Sequence, residues 1–253
     1  MRYDPEVGVP RILDLFKRYN IPLTFFVPGW TIQHYPAAVD LILQNSHEIE
    51  HHGYLHHDNN SMSRQEELDI LCRGIDIIEK VTGRRPMGYR TPIISSNGVS
   101  RHTIGLLVEL GFIFDSSLHG DDIPYLLQTS GGRLVEIPCI HGLSDWYHYM
   151  NWRDFNYHAP VSAPARAGEV FKAEFDAAWE HRGMWMCVWH PPVSGRLARC
   201  AAIEPLLRYM ISKGDVWFAS MSQIARHVNS VIENGTWTPR VDNLPFHASP
   251  TTP

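Results

Sequence analysis

The chain of 253 residues carries 22 Lys and Arg against 27 Asp and Glu, a formal charge of −5, with 44% apolar side chains. Such a chain buries a sizeable core, which excludes general disorder. The slightly acidic, dispersed charge has no Lys/Arg tract, so no nucleic-acid partner is expected. No apolar run approaches the roughly eighteen residues of a membrane span. The 15 His and 8 Trp point to a histidine-lined, aromatic-walled site, with surface histidines accounting for part of the number. The opening Met1-Arg-Tyr-Asp-Pro-Glu-Val-Gly8 lacks a secretory apolar stretch. Cys72, Cys139, Cys187 and Cys200 lie far apart with no CxxC spacing. Neither a disulfide framework nor a cysteine zinc site is expected, and the reading is cytoplasmic.

Helical spacing of Val9, Ile12, Leu13, Leu15 and Phe16 predicts a helix over about 5–19, broken at Asn20-Ile-Pro22. Leu23-Thr-Phe-Phe-Val27 reads as a buried strand ended by Pro28-Gly29. A second helix is expected over about 35–44, and His47–His52 as a short strand running into a loop. Ser63 with Glu66 forms a capping-box start for a helix to about Val81. There follow a strand ending near Arg90, a helix over about 100–110, and strands over 112–115 and 134–137. A loop of about thirty residues, rich in Trp, Tyr and His, comes next, and loops of that length are commonly functional. A helix over 168–181, a strand over Met184–Trp189, a helix over about 200–213, a strand over Val216–Ala219 and a helix over about 220–233 complete the domain. The segment 234–253, rich in Gly and Pro, reads as a loose tail.

This alternation, with no hairpin signal, predicts an α/β fold of about seven parallel strands closed into a distorted (β/α) barrel. The chain opens on a helix, where a βα repeat should open on a strand.

In parallel βα folds, function collects at the carboxyl ends of strands. Polar clusters stand at four such places: His51–Asp58, Tyr89–Pro92, Asp115–Ser117 with Asp121-Asp122, and Trp189–Pro191. His52 and His56, four apart across Gly53-Tyr54-Leu55, can converge on one divalent ion or form a surface histidine cluster. His47-Glu48-Ile-Glu-His51 formally fits HExxH. That motif needs a helix, and Asn45-Ser46 and Gly53 leave too little of one. Arg90, before a turn-fixing Pro92, can hold a carboxylate or an anionic intermediate, or be a surface charge. His190 ends an apolar strand and suits general acid work; the alternative is a histidine satisfied at the core edge.

The motifs Phe25-Phe-Val-Pro-Gly29, His47-Glu-Ile-Glu-His-His-Gly-Tyr-Leu-His56, Gly88-Tyr-Arg-Thr-Pro92 and Phe114-Asp-Ser-Ser-Leu118 occur in order. Asp121-Asp-Ile-Pro-Tyr125, His190-Pro191 and Asp215-Val-Trp-Phe-Ala219 complete the series. Together they resemble the NodB-homology polysaccharide deacetylases, carbohydrate esterase family 4. The likeness is to the cytosolic branch that includes a bacterial peptidoglycan deacetylase and metal-independent allantoinases, and it runs over about residues 2–230. The resemblance implies a distorted barrel that hydrolyses the C–N bond of amides. It implies His52 and His56 as ligands of a divalent metal, zinc in the first instance. It implies Arg90 as the arginine that orients the catalytic carboxylate, and His190 as the histidine that protonates the leaving amine. Asp121 and Asp122 fall where the family places a site-lining acid: Asp122 is taken as catalytic and Asp121 as substrate-binding. Tyr54, Pro92, Trp146 and Trp152 are further candidates for substrate contact.

The family's first motif, a strand ending in an Asp pair, is expected upstream of Tyr3 and is not in this sequence. The domain over 1–233 therefore reads as lacking its first strand, its carboxylate ligand and its general base. Ser46 and Glu50 stand where small glycines are usual, and Glu50 either adds a carboxylate near the site or faces solvent, the second being the preferred reading. Three readings follow: an amide hydrolase whose sequence begins inside the domain, an inactive carbohydrate- or partner-binding relative, and an allantoinase-like hydrolase of cyclic amides. The substrate is a carbohydrate or a small amide, and a homo-oligomer is implied by resemblance alone.

Overall fold

The computed structural model describes residues 2–93, 99–150 and 160–245. Its helices are α1 (Val9–Lys17), α2 (Gly29–His34), α3 (Pro36–Gln44), α4 (Arg64–Thr82), α5 (Thr103–Glu109), α6 (Asp145–Tyr149), α7 (Pro164–Glu180), α8 (Pro191–Ser194), α9 (Leu197–Ser212) and α10 (Met221–Glu233). Its strands are β1 (Thr24–Val27), β2 (Glu48–His51), β3 (Gly88–Tyr89), β4 (Phe114–Asp115), β5 (Tyr125–Thr129), β6 (Gly132–Glu136) and β7 (Val241–Asn243). The chain divides into two compact units, one of Met1–Leu23, Ala37–Ser46 and Cys139–Ala219, the other of Thr24–Pro36, His47–Pro138 and Ser220–Pro253.

The second unit holds the sheet, seven strands in the order β1-β2-β3-β4-β6-β5-β7. The fold is α/β and the sheet is mostly parallel, as the helix–strand alternation predicts. The register matters most for function. Val27 stands opposite His51, His51 opposite Tyr89, Tyr89 opposite Asp115, and Asp115 opposite Glu136. One row of residues thus crosses five strands at their carboxyl ends. The next residue along each chain begins a connection, which puts His52, Arg90, Ser116 and Ile137 side by side. Helix α4 covers this region through Leu71 and Ile75, which pack in one core cluster with Tyr89, Phe112 and the α5 residues Ile104, Leu106 and Leu107. Its start is the capping box read from the sequence: Ser63 Oγ accepts from Glu66 N, and Glu66 Oε2 accepts from Ser63 N at 2.8 Å.

Two departures from the expected sheet have a local cause. Strands β5 and β6 form an antiparallel hairpin, Thr129 opposite Gly132, so not every strand is parallel. The turn Thr129-Ser-Gly-Gly132 is a hairpin signal, and the strand before it, Tyr125–Thr129, had no expected counterpart. Strand β7 pairs parallel with β5 and falls within 234–253, the segment expected to be loose.

The first unit is helical. Ile12, Leu15 and Phe16 of α1 pack with Phe171 and Phe175 of α7 and with Ile203, Leu206 and Leu207 of α9. Met184–Trp189 and Val216–Ala219, expected as strands, are extended segments with no strand assigned; Val188 makes a single bridge with Ser144. Their apolar character serves side-chain packing instead. Trp189 lies 5.3 Å from the Phe16 ring, and Trp185 Nε1 donates to the carbonyl of Phe171 at 3.1 Å. The long loop is also not bare, since it contains α6.

Candidate active site

His52 follows β2 directly, and its Nδ1 donates to the carbonyl of Arg90 at 2.8 Å, across the β2–β3 boundary. That contact fixes the ring and places the lone pair of the neutral imidazole on Nε2, the usual preparation of a metal-ligating histidine. The His56 ring stands nearly perpendicular to that of His52, with centroids 5.1 Å apart. The turn between them is tight: His56 has φ +60° and Gly53 φ +68°. A Cβ on Gly53 would come within 2.9 Å of Pro92 Cγ, so only glycine fits without displacement. The carbonyls of Gly53 and Tyr54 accept from Gly29 N and Trp30 N at 3.0 Å each, which ties the turn to the start of α2. The Tyr54 hydroxyl donates to Gln33 Oε1 at 3.1 Å and accepts from Arg73 Nη2 at 2.6 Å, and the Arg73 guanidinium lies 3.5 Å over its ring.

Arg90 follows β3 and is anchored from β4. Its Nε donates to the carbonyl of Ser116 at 2.9 Å and its Nη2 to Ser116 Oγ at 2.7 Å. The guanidinium carbon lies 4.5 Å from the Phe26 ring centre. Arg90, His52 and His56 therefore share one sheet edge, where the sequence places them. Asp121 is held elsewhere, by Arg240 Nη1 at 3.1 Å. Asp122 is exposed on the turn before β5, with its backbone N donating to Asp121 Oδ1. Trp152 lies outside the described residues.

In the helical unit, His190 is paired with Asp145. Asp145 Oδ1 accepts from His190 Nδ1 at 2.6 Å, and its Oδ2 accepts from His190 N at 2.8 Å and from Ser194 Oγ at 2.6 Å. The carboxyl is fully buried while the imidazole is partly exposed. Trp146, the next residue of α6, sets its ring edge-on at 5.2 Å from the His190 ring. The single pointer to Asp145 in the sequence is a lone acid in the apolar, aromatic run Leu143-Ser-Asp-Trp146, and the sequence reading does not identify it.

Glu50, expected to face solvent, is fully buried. Its carboxylate accepts from Arg84 Nη1 at 3.0 Å, Met87 N at 2.8 Å and Gly88 N at 2.9 Å, so it clasps the approach to β3. Burial pushes its carboxyl up to about 7, against the pull of the Gly88 N–H and Arg84. The expectation failed because Glu50 alternates with the buried Ile49 and on a one-faced sheet would point outward. Here β2 is covered on both faces. His51 ends β2 and His47 immediately precedes that strand, so neither lies on a helix, which removes the HExxH reading. His51 is fully buried, donates through Nε2 to the carbonyl of Leu71 at 3.1 Å, and accepts from Gly53 N at 3.1 Å. Burial lowers its pKa to about 4.

His52 and His56 supply two nitrogen donors of the type that suits a divalent cation. Among the described residues, no group of three or more His, Cys, Asp or Glu side chains is gathered around a point that could hold a metal. The donor set is thus compatible with a divalent ion and short of a closed site.

A mostly parallel α/β sheet thus carries imidazoles and an arginine at its carboxyl edge, and the helical unit by itself holds a buried carboxylate paired with an imidazole. A family model described as polysaccharide deacetylase matches residues 3–112. A crystal structure from Mycobacterium smegmatis assigned to the polysaccharide deacetylases shares 41% identity, covering 94% of this chain and 81% of that one, with a TM-score of 0.86. The peptidoglycan deacetylase of Helicobacter pylori is 28% identical over 248 residues, 87% of this chain and 83% of its own. The structure of PuuE allantoinase is 29% identical, covers 90% of this chain and 74% of its own, and has a TM-score of 0.80. The chain belongs to the polysaccharide deacetylase family and is a hydrolase of amide C–N bonds.

Proposed function

We propose that the chain removes the N-acetyl group from an acetylated amino sugar or polysaccharide, with His52 and His56 as ligands of a divalent metal, zinc in the first instance. The observation that carries this reading is the His52–Arg90 contact. A histidine whose second nitrogen is locked to a backbone carbonyl is built to present the other nitrogen to a ligand. A bound divalent ion supplies Lewis-acid polarisation and lowers the pKa of water.

The protein's own side chains have separate tasks. Arg90, anchored by Ser116, orients a carboxylate or oxyanion through its guanidinium charge. His190 donates a proton from Nε2 to the leaving nitrogen, while Asp145 accepts from Nδ1 and balances the imidazolium charge. Asp122 carries a catalytic carboxylate role, and Tyr54, Pro92, Asp121, Trp146 and Trp152 contact the substrate. These assignments follow the family resemblance. The exposed Asp122 carboxylate and the Trp146 ring beside His190 are consistent with them.

A second reading is an allantoinase-like hydrolysis of a small cyclic amide. The open donor set favours it, since the described residues bring two imidazoles together without a third ligand. The four widely spaced cysteines, with no CxxC pair, support a reducing, cytoplasmic setting, and no helix among the described residues is long and apolar enough to cross a membrane. Cytoplasmic location and homo-oligomerisation are both part of the proposal.

The test is zinc binding by the chain and by its His52→Ala/His56→Ala double variant, followed by assay on N-acetylglucosamine oligomers and on allantoin. The deacetylase reading requires zinc uptake that the double variant loses, together with acetate release. Turnover of allantoin alone, unaffected by chelator, establishes the second reading instead.

A further inference from the structure

Behind the edge that carries Arg90 lies a pair of acids that the family motifs leave without a task. Asp115 ends β4, Glu136 ends β6, and the two are register partners in the parallel ladder. Both are fully buried. Each is in hydrogen-bond contact with the other. Two ionised carboxylates cannot share such a contact away from water, so one must be protonated. The hydrogen bonds identify the holder. Asp115 accepts from Ser117 Oγ at 2.8 Å through Oδ1 and from Ser117 N at 3.2 Å through Oδ2. Glu136 Oε1 accepts from Ser117 N at 3.0 Å and Leu118 N at 2.8 Å. Among the described residues nothing donates to Glu136 Oε2. A buried oxygen without a donor is satisfied when it carries the proton itself and gives it to a neighbour, here Asp115.

This pair grips Ser117, and the residues around it grip Arg90. Ser117 Oγ accepts from Thr91 N at 2.9 Å, one residue after Arg90. Ser116 receives the Arg90 guanidinium at two points and donates its own hydroxyl to the carbonyl of Ile137 at 2.8 Å, one residue after Glu136. The ends of β3, β4 and β6 are thus laced together in one layer, with the two acids directly beneath.

We propose that Asp115 and Glu136 are positioning residues of the hydrolase: one proton shared between their carboxyls holds the ends of β3, β4 and β6 closed and keeps Arg90 anchored on Ser116. The inference rests on the amide-hydrolase role given to Arg90. Loss of the shared proton puts two like charges in contact inside the sheet, and the Ser117 grip opens first because it touches both acids. The ionisable groups facing the pair are Tyr89 from β3, with Glu67 of α4 behind it, and Tyr125 from β5, with Arg240 and Asp242 behind it. Tyr89 and Tyr125 are both held in the neutral form by burial, so neither competes for the proton near neutrality.

The test reads Arg90 directly, without requiring turnover. In a nitrogen-15 spectrum of the full chain, the Arg90 Nε–H signal is assigned by its loss in Arg90→Lys. The expected result is a sharp, exchange-protected signal at pH 6 that is lost earlier with rising pH in the wild type than in Glu136→Gln. The Gln amide donates to Asp115 at every pH and cannot be deprotonated. Glu136→Leu should lose the signal throughout and lower kcat about 10²-fold with KM little changed, the scale expected of a displaced positioning group. In an Arg90→Ala background it should cost nothing more. If wild type and Glu136→Gln lose the Arg90 signal along the same pH curve, the proposal is overturned, whether or not Glu136→Leu folds. If the spectra behave as expected and no amide is hydrolysed, the positioning stands and the functional reading fails.

Discussion

Asp145 holds His190 at two points, taking the ring Nδ1–H on one carboxylate oxygen at 2.6 Å and the backbone N–H on the other at 2.8 Å. Because one carboxylate fixes both the main chain and the ring, the imidazole has a single tautomer and a single orientation. The Ser194 hydroxyl, from α8, completes the carboxylate's partners.

That arrangement makes Asp145→Asn informative. The amide keeps the volume but can face His190 Nδ1 with its NH₂ group, which favours the other tautomer and removes the charge that balances an imidazolium. The expected effect is a fall in kcat of about 10²-fold or more with little change in KM. Steady-state kinetics at fixed pH, beside a circular dichroism spectrum, checks it.

Glu50 is a second target, for stability. Glu50→Ala leaves the Met87 and Gly88 N–H groups without their acceptor and Arg84 without its partner. Stranded buried donors are costly, and the expected loss is about 3 kcal/mol, discounted because the Arg84 side chain is 36% exposed. Urea unfolding should show a lower midpoint with an unchanged slope.

The buried acid pair sets a pH dependence of stability. Burial raises Asp115 to about 6 and Glu136 well above the ordinary glutamate value, with the charge of Asp115 adding to the rise at Glu136. The folded state therefore binds more protons than the unfolded chain. Stability from the pair is complete below the unfolded carboxyl values near 4 and is lost as the pH climbs through 6 and beyond. Glu136→Gln should flatten that alkaline decline. Melting temperatures of both proteins from pH 5 to 9 decide it, and parallel curves would contradict the assignment.

Gly53→Ala tests the turn between His52 and His56. It places a Cβ against Pro92 and a side chain at φ +68°, so the turn must shift. A melting temperature lowered by a few degrees is expected, together with zinc affinity reduced by at least tenfold. Titration with a competing chelator measures the affinity, and retained wild-type binding would show that the turn geometry is not what pairs the two histidines.

The sequence by itself determined the parts of this protein that depend on neighbours along the chain. Helix α4 begins at the Ser63 cap and ends at Gly83 because both signals are local. His52 and Arg90 stand at strand ends because Gly53 and Pro92, local turn signals, follow each closely. The ordered motifs sufficed to name the family. Tertiary structure decided what depends on neighbours across the chain. Asp145 meets His190 from 45 residues away, and Asp115 meets Glu136 only because β4 and β6 lie side by side. Glu50 is buried rather than solvated because both faces of β2 are covered, which alternation along one strand does not encode. Met184–Trp189 has the composition of a strand, yet a strand also needs a ladder, and here the tryptophans are taken up by packing against Phe16 and Phe175. Periodicity records which face of an element is apolar, whereas the partner of a buried polar group is chosen by the assembled sheet.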